Sequence, residues 1–443
     1  QYIDTTFETP GYEPGNLFSI ILNTYYTACN KIKSVNNNVI EYEGDLPFDA
    51  IPDNMSYTFY RCSFSCIEHP EIGSSIIGNE AFSEGTDTHS MGRFSHTEGY
   101  NTVANAYGHA EGNTTIAGGS AHAEGQLTKA LGQQSHAEGF KTTASGENSH
   151  AEGFESTASY NYSHAEGFKT KATGEASHAE NNTTEASGKS SHAEGYSTIA
   201  SGNYSHAEGY ETTVSGKASH AEGSNTIASG DSSHAEGTNT KVYGINSHAE
   251  GLNNYAYGDC SHIEGKNNAI YSNFSHVEGQ SHKIAKVTID GVNYTPDTIH
   301  VEGQEHTIEV STNSNGNAVV PSHIHVEGIY NKVGAKAQRS HTEGQKCENY
   351  AELSHAEGYG SKIEASASYS HAEGRSTVAK GMYSHVEGLY TIAEGRSQHV
   401  QGKYNKTDAD MAHIVGNGES EDSRSNAHTL DWEGNAWFAG DVT

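Results

Sequence analysis

Along most of the chain, small and polar residues alternate in two short stretches separated by two turns, and the arrangement returns every fourteen residues. In Ser205-His206-Ala207-Glu208-Gly209 the small residues alternate with His206 and Glu208. In Thr212-Thr213-Val214-Ser215-Gly216 the residues Thr212, Val214 and Gly216 alternate with Thr213 and Ser215. A period of two is that of a strand with unlike faces. Each repeat therefore predicts two short strands, each with one face of small residues. A coil with two strands per turn has an interior too narrow for Leu or Phe. The faces of Ala, Ser, Thr, Val and Gly are expected inside, and the alternate residues outside.

The frame His-X-Glu-Gly marks the first strand of each repeat. His122, His136, His150, His164, His178, His192, His206, His220, His234, His248, His262 and His276 follow one another at intervals of fourteen. Such a repeat is too short for a domain and too regular for a loop, so it predicts one structural turn stacked many times. The fold class is all-β: a parallel β-roll or β-solenoid with two short strands per turn. At one strand spacing of ~4.8 Å per turn, about 22 turns would extend for roughly 100 Å.

The outward positions of the second strand vary freely, as in Thr143/Ser145, Lys171/Thr173, Ile199/Ser201 and Lys241/Tyr243, which suits a solvated face. The outward His and Glu of the first strand do not vary. An invariant outward face on a narrow coil is read as a seam with further copies of itself, around a threefold axis. The seam residues are His136, Glu138, His150, Glu152, His164, Glu166, His178, Glu180, His192, Glu194, His206, Glu208, His220, Glu222, His234, Glu236, His248 and Glu250. Their simplest role is a ladder in which His and Glu of neighbouring chains pair. Three His and three Glu about an axis would also offer six ligands to a metal ion. If the ladder is of ion pairs, pairing raises the folded pKa of His and depresses that of Glu. Stability would then peak between the two.

Composition fits this picture. Of 443 residues only 33% are hydrophobic, with 49 Gly and 7 Pro, so no thick apolar core is available; 26 Tyr and 12 Phe nevertheless argue for order. The formal charge of −31 comes largely from the glutamates that follow the rung histidines; without those twenty, 25 basic residues face 36 acidic ones. No basic patch supports nucleic-acid binding. No apolar run of about 18 residues predicts membrane insertion, and no signal peptide is seen. Cys29, Cys62, Cys66, Cys260 and Cys347 show no metal or disulfide spacing and are expected as free thiols. The chain begins at Gln1 rather than Met, which implies that a natural N-terminal piece precedes it.

The spelling Ser-X-Ala-X-Gly followed by Thr-X-Ala-X-Gly, over about residues 75–415, resembles the left-handed β-roll heads of trimeric autotransporter adhesins. Ser-His-Ala-Glu-Gly itself resembles the repeats of bacteriophage and prophage tail fibres and tail spikes. The resemblance implies a left-handed roll assembled as an elongated homotrimer. The adhesin heads carry Val and Ile at the seam where this chain has His and Glu, so their dry apolar trimer core does not transfer. Ser322-His323-Ile324-His325 departs from the rung spelling and resembles metal-binding motifs of some tail-fibre needles. It makes His323 and His325 candidate metal ligands on the threefold axis; the alternative is that His323 merely ends an insertion. No other cofactor is expected.

Three regions follow. Residues 1–72 are a β-rich capping or attachment domain, with Ile32–Tyr42 read as two strands about an Asn-rich turn. Residues 73–402 are the repeat shaft. Residues 403–443 are a C-terminal tip segment holding both tryptophans, and they look like the stretch that precedes a removable self-cleaving chaperone domain in phage tail proteins. Insertions at about 280–299 and 304–322 predict hairpins, the first around Asp290-Gly291 and the second with Thr307–Val310 and Ala318–Val320 as its strands. They are a ligand-binding collar or decoration that stiffens the shaft. Aromatics after the rung glycine (Phe140, Phe154, Phe168, Tyr196, Tyr210) or before Ser-His (Tyr162, Tyr204, Tyr369, Tyr383) would stack on sugars or, more simply, on one another.

The expected function is a non-enzymatic tail fibre of a phage or phage-like particle. It would be located in the virion tail, joined through its N-terminus to an upstream tail or baseplate protein, and bound to a bacterial surface glycan or protein receptor. A trimeric adhesin of the bacterial cell surface is the alternative within binding proteins. A glycan depolymerase would need a carboxylate pair in a groove; Asp290, Asp297, Glu305 and Glu309 lie near the hairpins, but nothing in the sequence pairs them. An ice-binding solenoid fits poorly, because the regular threonines face inward.

Overall fold

A fourteen-residue turn has no room to satisfy its backbone groups internally, so they must be met by the turns above and below. In the computed structural model of the chain they are. His136–Phe140 pairs in parallel with His150–Phe154, Ala137 opposite Ala151 and Glu138 opposite Glu152, and Thr143–Ala144 pairs in the same way with Thr157–Ala158. The corners join the ladder: the amide of Lys141 donates to the carbonyl of Gln126, and that of Asn148 to Gln133. These amides belong to residues at positive φ, 55° for Lys141 and 54° for Asn148. A left-handed residue other than glycine costs roughly 1–2 kcal/mol, which the rung-to-rung bonds offset.

The structure describes residues 74–440 except 77, together with the backbone alone of the strands Tyr2–Asp4, Leu17–Leu22, Tyr26–Asn36, Val39–Glu43, Thr58–Arg61, Cys66–Glu68 and Ser75–Ile76. The chain divides into two units, Gln1–Glu211 and Thr212–Thr443. Among the described residues each is an all-β parallel solenoid with two short strands per turn and no helix.

In the first unit, Tyr26–Asn36 and Val39–Glu43 pair antiparallel within a five-stranded sheet, where the two strands around residues 32–42 were expected. The side chains and connections of that region lie outside the described residues. Cys66–Glu68 already runs parallel to Phe82–Thr86, so the parallel ladder includes residues 66–68. The solenoid interior holds Ser135, Ala137, Thr142, Ala144 and their equivalents, all buried, as the alternation predicts. The rung glycine is required by geometry: Gly139 has φ +108°, and a Cβ there would lie 2.2 Å from the carbonyl oxygen of Gly153.

The second unit corrects the expectation of a uniformly narrow interior. Ile263, Ile270, Ile308, Ile363, His306 and Gln398 are all fully buried there. In successive turns from residue 254 the threonine that opens the second strand is replaced by longer polar residues, Asn254, Asn268, His282, His306 and Asn331. These form an internal ladder. The amide of Asn268 donates to Oδ1 of Asn254 (3.0 Å), that of His282 to Oδ1 of Asn268 (3.1 Å) and that of His306 to Nδ1 of His282 (3.2 Å). The ladder continues from Asn331 to Nδ1 of His306 (3.0 Å) and from Cys347 to Oδ1 of Asn331 (2.8 Å).

Both insertions leave the same corner of their turns. Val287–Ile289 and Val292–Tyr294 form the first hairpin, turning at Asp290 and Gly291, both at positive φ. The second is shifted from its expected place: its strands are Ser311–Thr312 and Ala318–Val319. Thr307–Ile308 belongs to the solenoid and pairs parallel with Lys283–Ile284, because Ile308 points into the core. At the C-terminus, Met411–Asn417 extends the parallel ladder from His399–Lys403, and Asn426–Asp431 then folds back antiparallel on it. Trp432 and Trp437 are exposed.

Candidate functional site

The first strands place one His and one Glu per turn on the outward face, and parallel in-register pairing stacks like on like. In the first unit the rings of His164 and His178 stand 4.6 Å apart, and those of His192 and His206 4.8 Å. In the second, His341 and His355 are 4.5 Å apart with only 3° between planes. Every predicted seam residue, from His136 and Glu138 to His248 and Glu250, lies on this face. In the single chain the side chains are part covered: His136 is 36% exposed and Glu138 45%.

Within a turn the imidazole leans toward its own glutamate. Nε2 of His150 lies 3.5 Å from Oε2 of Glu152, and Nε2 of His192 lies 3.4 Å from Oε2 of Glu194. These contacts do not have hydrogen-bond geometry. The Nε2 atoms of His136, His150, His164, His178 and His192 are out of reach of solvent and have no hydrogen-bond partner. The column is thus a row of polar atoms already desolvated on one side.

Within the single chain the electrostatics disfavour protonation of several of these histidines. Burial, and then the charge of adjacent imidazoles, holds His109, His136, His164, His178 and His355 below the ordinary value, against the pull of the nearby glutamates. The sequence shows the glutamate two residues away, but the ring fourteen residues away is as close. These five imidazoles therefore favour the neutral form at pH 7. Protonation in the folded state becomes unfavourable relative to the unfolded chain as pH falls below about 6.5.

The glutamates behave unevenly. Glu357 is pushed up to about 7 by desolvation and by its contacts with the carboxylates of Glu343 and Glu373. For Glu373 desolvation is the largest effect and acts upward. Hydrogen bonds with Glu357 and Glu387 and the charges of His371 and His385 together outweigh it and hold Glu373 low.

The two candidate metal ligands separate. His325 stacks in the column, and its Nε2 gathers with donor atoms of Glu327 and His341 within 4.8 Å. His323 occupies the corner at φ +54° and is exposed. Both line an open groove of about 1170 Å³ that runs beside the column, with Phe274, Ile299, Ile324 and Tyr369 among its walls.

Sequence reasoning missed His282 and His306, which lie inside the coil. Each Nδ1 accepts a backbone amide, so each Nε2 carries the proton and donates to a carbonyl, Glu278 for His282 and Glu302 for His306, both at 2.9 Å. Desolvation lowers His282 to about 4. The signal lay in the position that opens the second strand: Thr240, Asn254, Asn268, His282, His306 and Asn331 occupy it in successive turns.

The carboxylates near the hairpins are occupied separately. Glu309 takes Lys332 at 2.9 Å, and Glu305 accepts from Gln304 at 3.1 Å. Asp290 forms a hairpin turn, and Asp297 pairs with Ser322 in the rung ladder. The aromatics stack on one another: Phe140, Phe154 and Phe168 at 5.0 and 5.1 Å, Tyr196 and Tyr210 at 5.1 Å, Tyr369 and Tyr383 at 4.9 Å. Each stacked ring thus has at least one face covered by its neighbour, while Tyr162 and Tyr204 are exposed. Cys260 and Cys347 are free thiols; Cys29, Cys62 and Cys66 lie outside the described side chains. Comparison with protein-family models finds no match, and neither does comparison with curated proteins.

Proposed function

We propose that the chain is the shaft of an attachment fibre of a phage or phage-like tail, assembled as a homotrimer through its His/Glu column. The observation that carries this reading is the column itself: an in-register polar face on which the buried Nε2 atoms of His136, His150, His164, His178 and His192 lack hydrogen-bond partners. Leaving such atoms unmatched is costly, and a second copy of the same face repeats the donors and acceptors at the same spacing. The fibre is not an enzyme. It joins an upstream tail or baseplate protein at its N-terminal end and meets a bacterial surface glycan or protein as receptor.

Light scattering at neutral pH tests the assembly: a mass near three times 47.3 kDa supports the trimer, and a monomer sinks it. Attachment is tested by binding of the labelled chain to a panel of bacterial envelopes. Saturable binding without release of sugar supports a fibre. Sugar release supports a depolymerase instead, and no binding to any envelope counts against attachment.

A further inference from the structure

At one place in the second unit the column gathers ligand atoms of His341, Glu343 and His355 within 4.8 Å of one another, with Glu357 beside His355. Oε2 of Glu343 lies 3.4 Å from Nε2 of His341, and its other oxygen lies 4.0 Å from Nε2 of His355 in the next turn. Oε2 of Glu357 lies 3.5 Å from the same Nε2 of His355. Glu343 thus lies within ion-pair distance of imidazoles from two successive turns. We propose that His341, Glu343, His355 and Glu357 form a divalent-metal site of two imidazole nitrogens and two carboxylates, suited to Zn²⁺.

The spacing suits the ion. Ligands about 2.0–2.1 Å from a tetrahedral Zn²⁺ stand roughly 3.3 Å from one another, so contacts of 3.4 to 4.0 Å need only a small contraction. The Nε2 atoms of His341 and His355 are buried without a hydrogen-bond partner, so neither lone pair is taken by a protein donor. The site also carries an excess of negative charge: Glu357 touches the carboxylates of both Glu343 and Glu373. A dication between them would relieve that crowding. His341 and His355 line the open groove, which gives a hydrated ion a route in.

Stoichiometry follows from geometry. Each imidazole has one Nε2, so an ion that takes His341 and His355 denies them to any ion in the flanking turns. An ion at this site therefore excludes ions that would need the same imidazoles in the two flanking turns. All four donors come from one chain, so the site does not rest on the trimer reading.

The full chain is loaded with ZnCl₂, dialysed into metal-free buffer, and its metal is counted by mass spectrometry. Light scattering on the same sample reads assembly separately. Retained Zn²⁺ is expected, lower by one ion per chain in His355→Asn and in Glu343→Gln, and undiminished in the control His150→Asn. Circular dichroism checks that the variants fold. Co²⁺ in the same site should give the intense visible absorption of tetrahedral coordination. No retained metal, retention unchanged in both His355→Asn and Glu343→Gln, or equal loss in His150→Asn would overturn the assignment. A purely octahedral Co²⁺ spectrum would overturn the four-donor set.

Discussion

Acid should open the second unit at His282, and a single substitution should prevent it. His282 holds the turn beyond it by accepting the amide of His306 at Nδ1 while Nε2 donates to the carbonyl of Glu278. An imidazolium has no lone pair, so protonation turns an acceptor into a donor facing a donor. Desolvation lowers the folded pKa to about 4, against about 6.5 in an unfolded segment. Because the folded value lies below the unfolded one, the effect is nil above pH 6.5, grows as pH falls through 6.5, and levels off below 4. At pH 5 the unfolded segment is almost fully protonated and the folded one hardly at all. The difference is about 30-fold in the population of opened states, or about 2 kcal/mol. His306 adds to this in the same direction, since burial lowers it too. Hydrogen exchange at the amide of His306, compared between pH 7 and pH 5 after correction for intrinsic rates, reads the opening locally. Asparagine at the equivalent positions 254, 268 and 331 makes the same two kinds of bond. His282→Asn should therefore keep protection at pH 7 and remove most of its loss at pH 5. If wild type and His282→Asn lose protection equally on acidification, the internal imidazole is not the acid-sensitive element.

Three further expectations rest on separate features. Gly139→Ala should destabilise its turn by about 3 kcal/mol, from the backbone conformation and the overlap with Gly153 together; unchanged exchange protection around residues 136–154 would contradict the geometry. Ile308→Ala should cost about 2–5 kcal/mol by emptying a fully buried site, read by urea denaturation of the whole chain, and a cost below about 1 kcal/mol would mean that the coil collapses around the gap. His136 and His178, followed by NMR through a pH titration, should show midpoints below 6.5, as burial and their ring neighbours require; midpoints above 6.5 would favour an ion-pair ladder.

Local alternation revealed the strands, their faces and the buried Ala and Thr positions, because a period of two is written into every rung. The Asp290-Gly291 hairpin was equally legible, since its turn residues carry their own geometry. The second hairpin was misplaced because Thr307-Ile308 has the same β propensity in either role; only the buried neighbour Ile284 decides that Ile308 belongs to the core. The direction of the histidine shifts was hidden for a related reason. His136 and Glu138 are adjacent on paper, whereas His136 and His150 become neighbours, 4.8 Å apart, only when the coil closes. Nor does the sequence announce Lys141 or Asn148 as left-handed residues, since what holds them there is a carbonyl one turn away.

The irregular positions also answer a difficulty that the regular ones create. In a stack of near-identical turns, pairing displaced by a whole turn still sets Ala against Ala and His against His, so the repeat alone specifies register weakly. In the second unit the displaced pairings are not equivalent. The 24- and 25-residue intervals between His276, His300 and His325 are accommodated as hairpins, both leaving after the second strand of their turn. Inside, the run Asn254, Asn268, His282, His306, Asn331, Cys347 is a chain of bonds in which each side chain accepts the next turn's amide. A slip of one turn would set Cys347 where Asn331 now accepts, and a thiol is a weak acceptor for a buried amide. Departures from the repeat thus supply the register that the repeat cannot, and they fall in the same unit as the wide interior, the groove and the His341–Glu343–His355–Glu357 cluster.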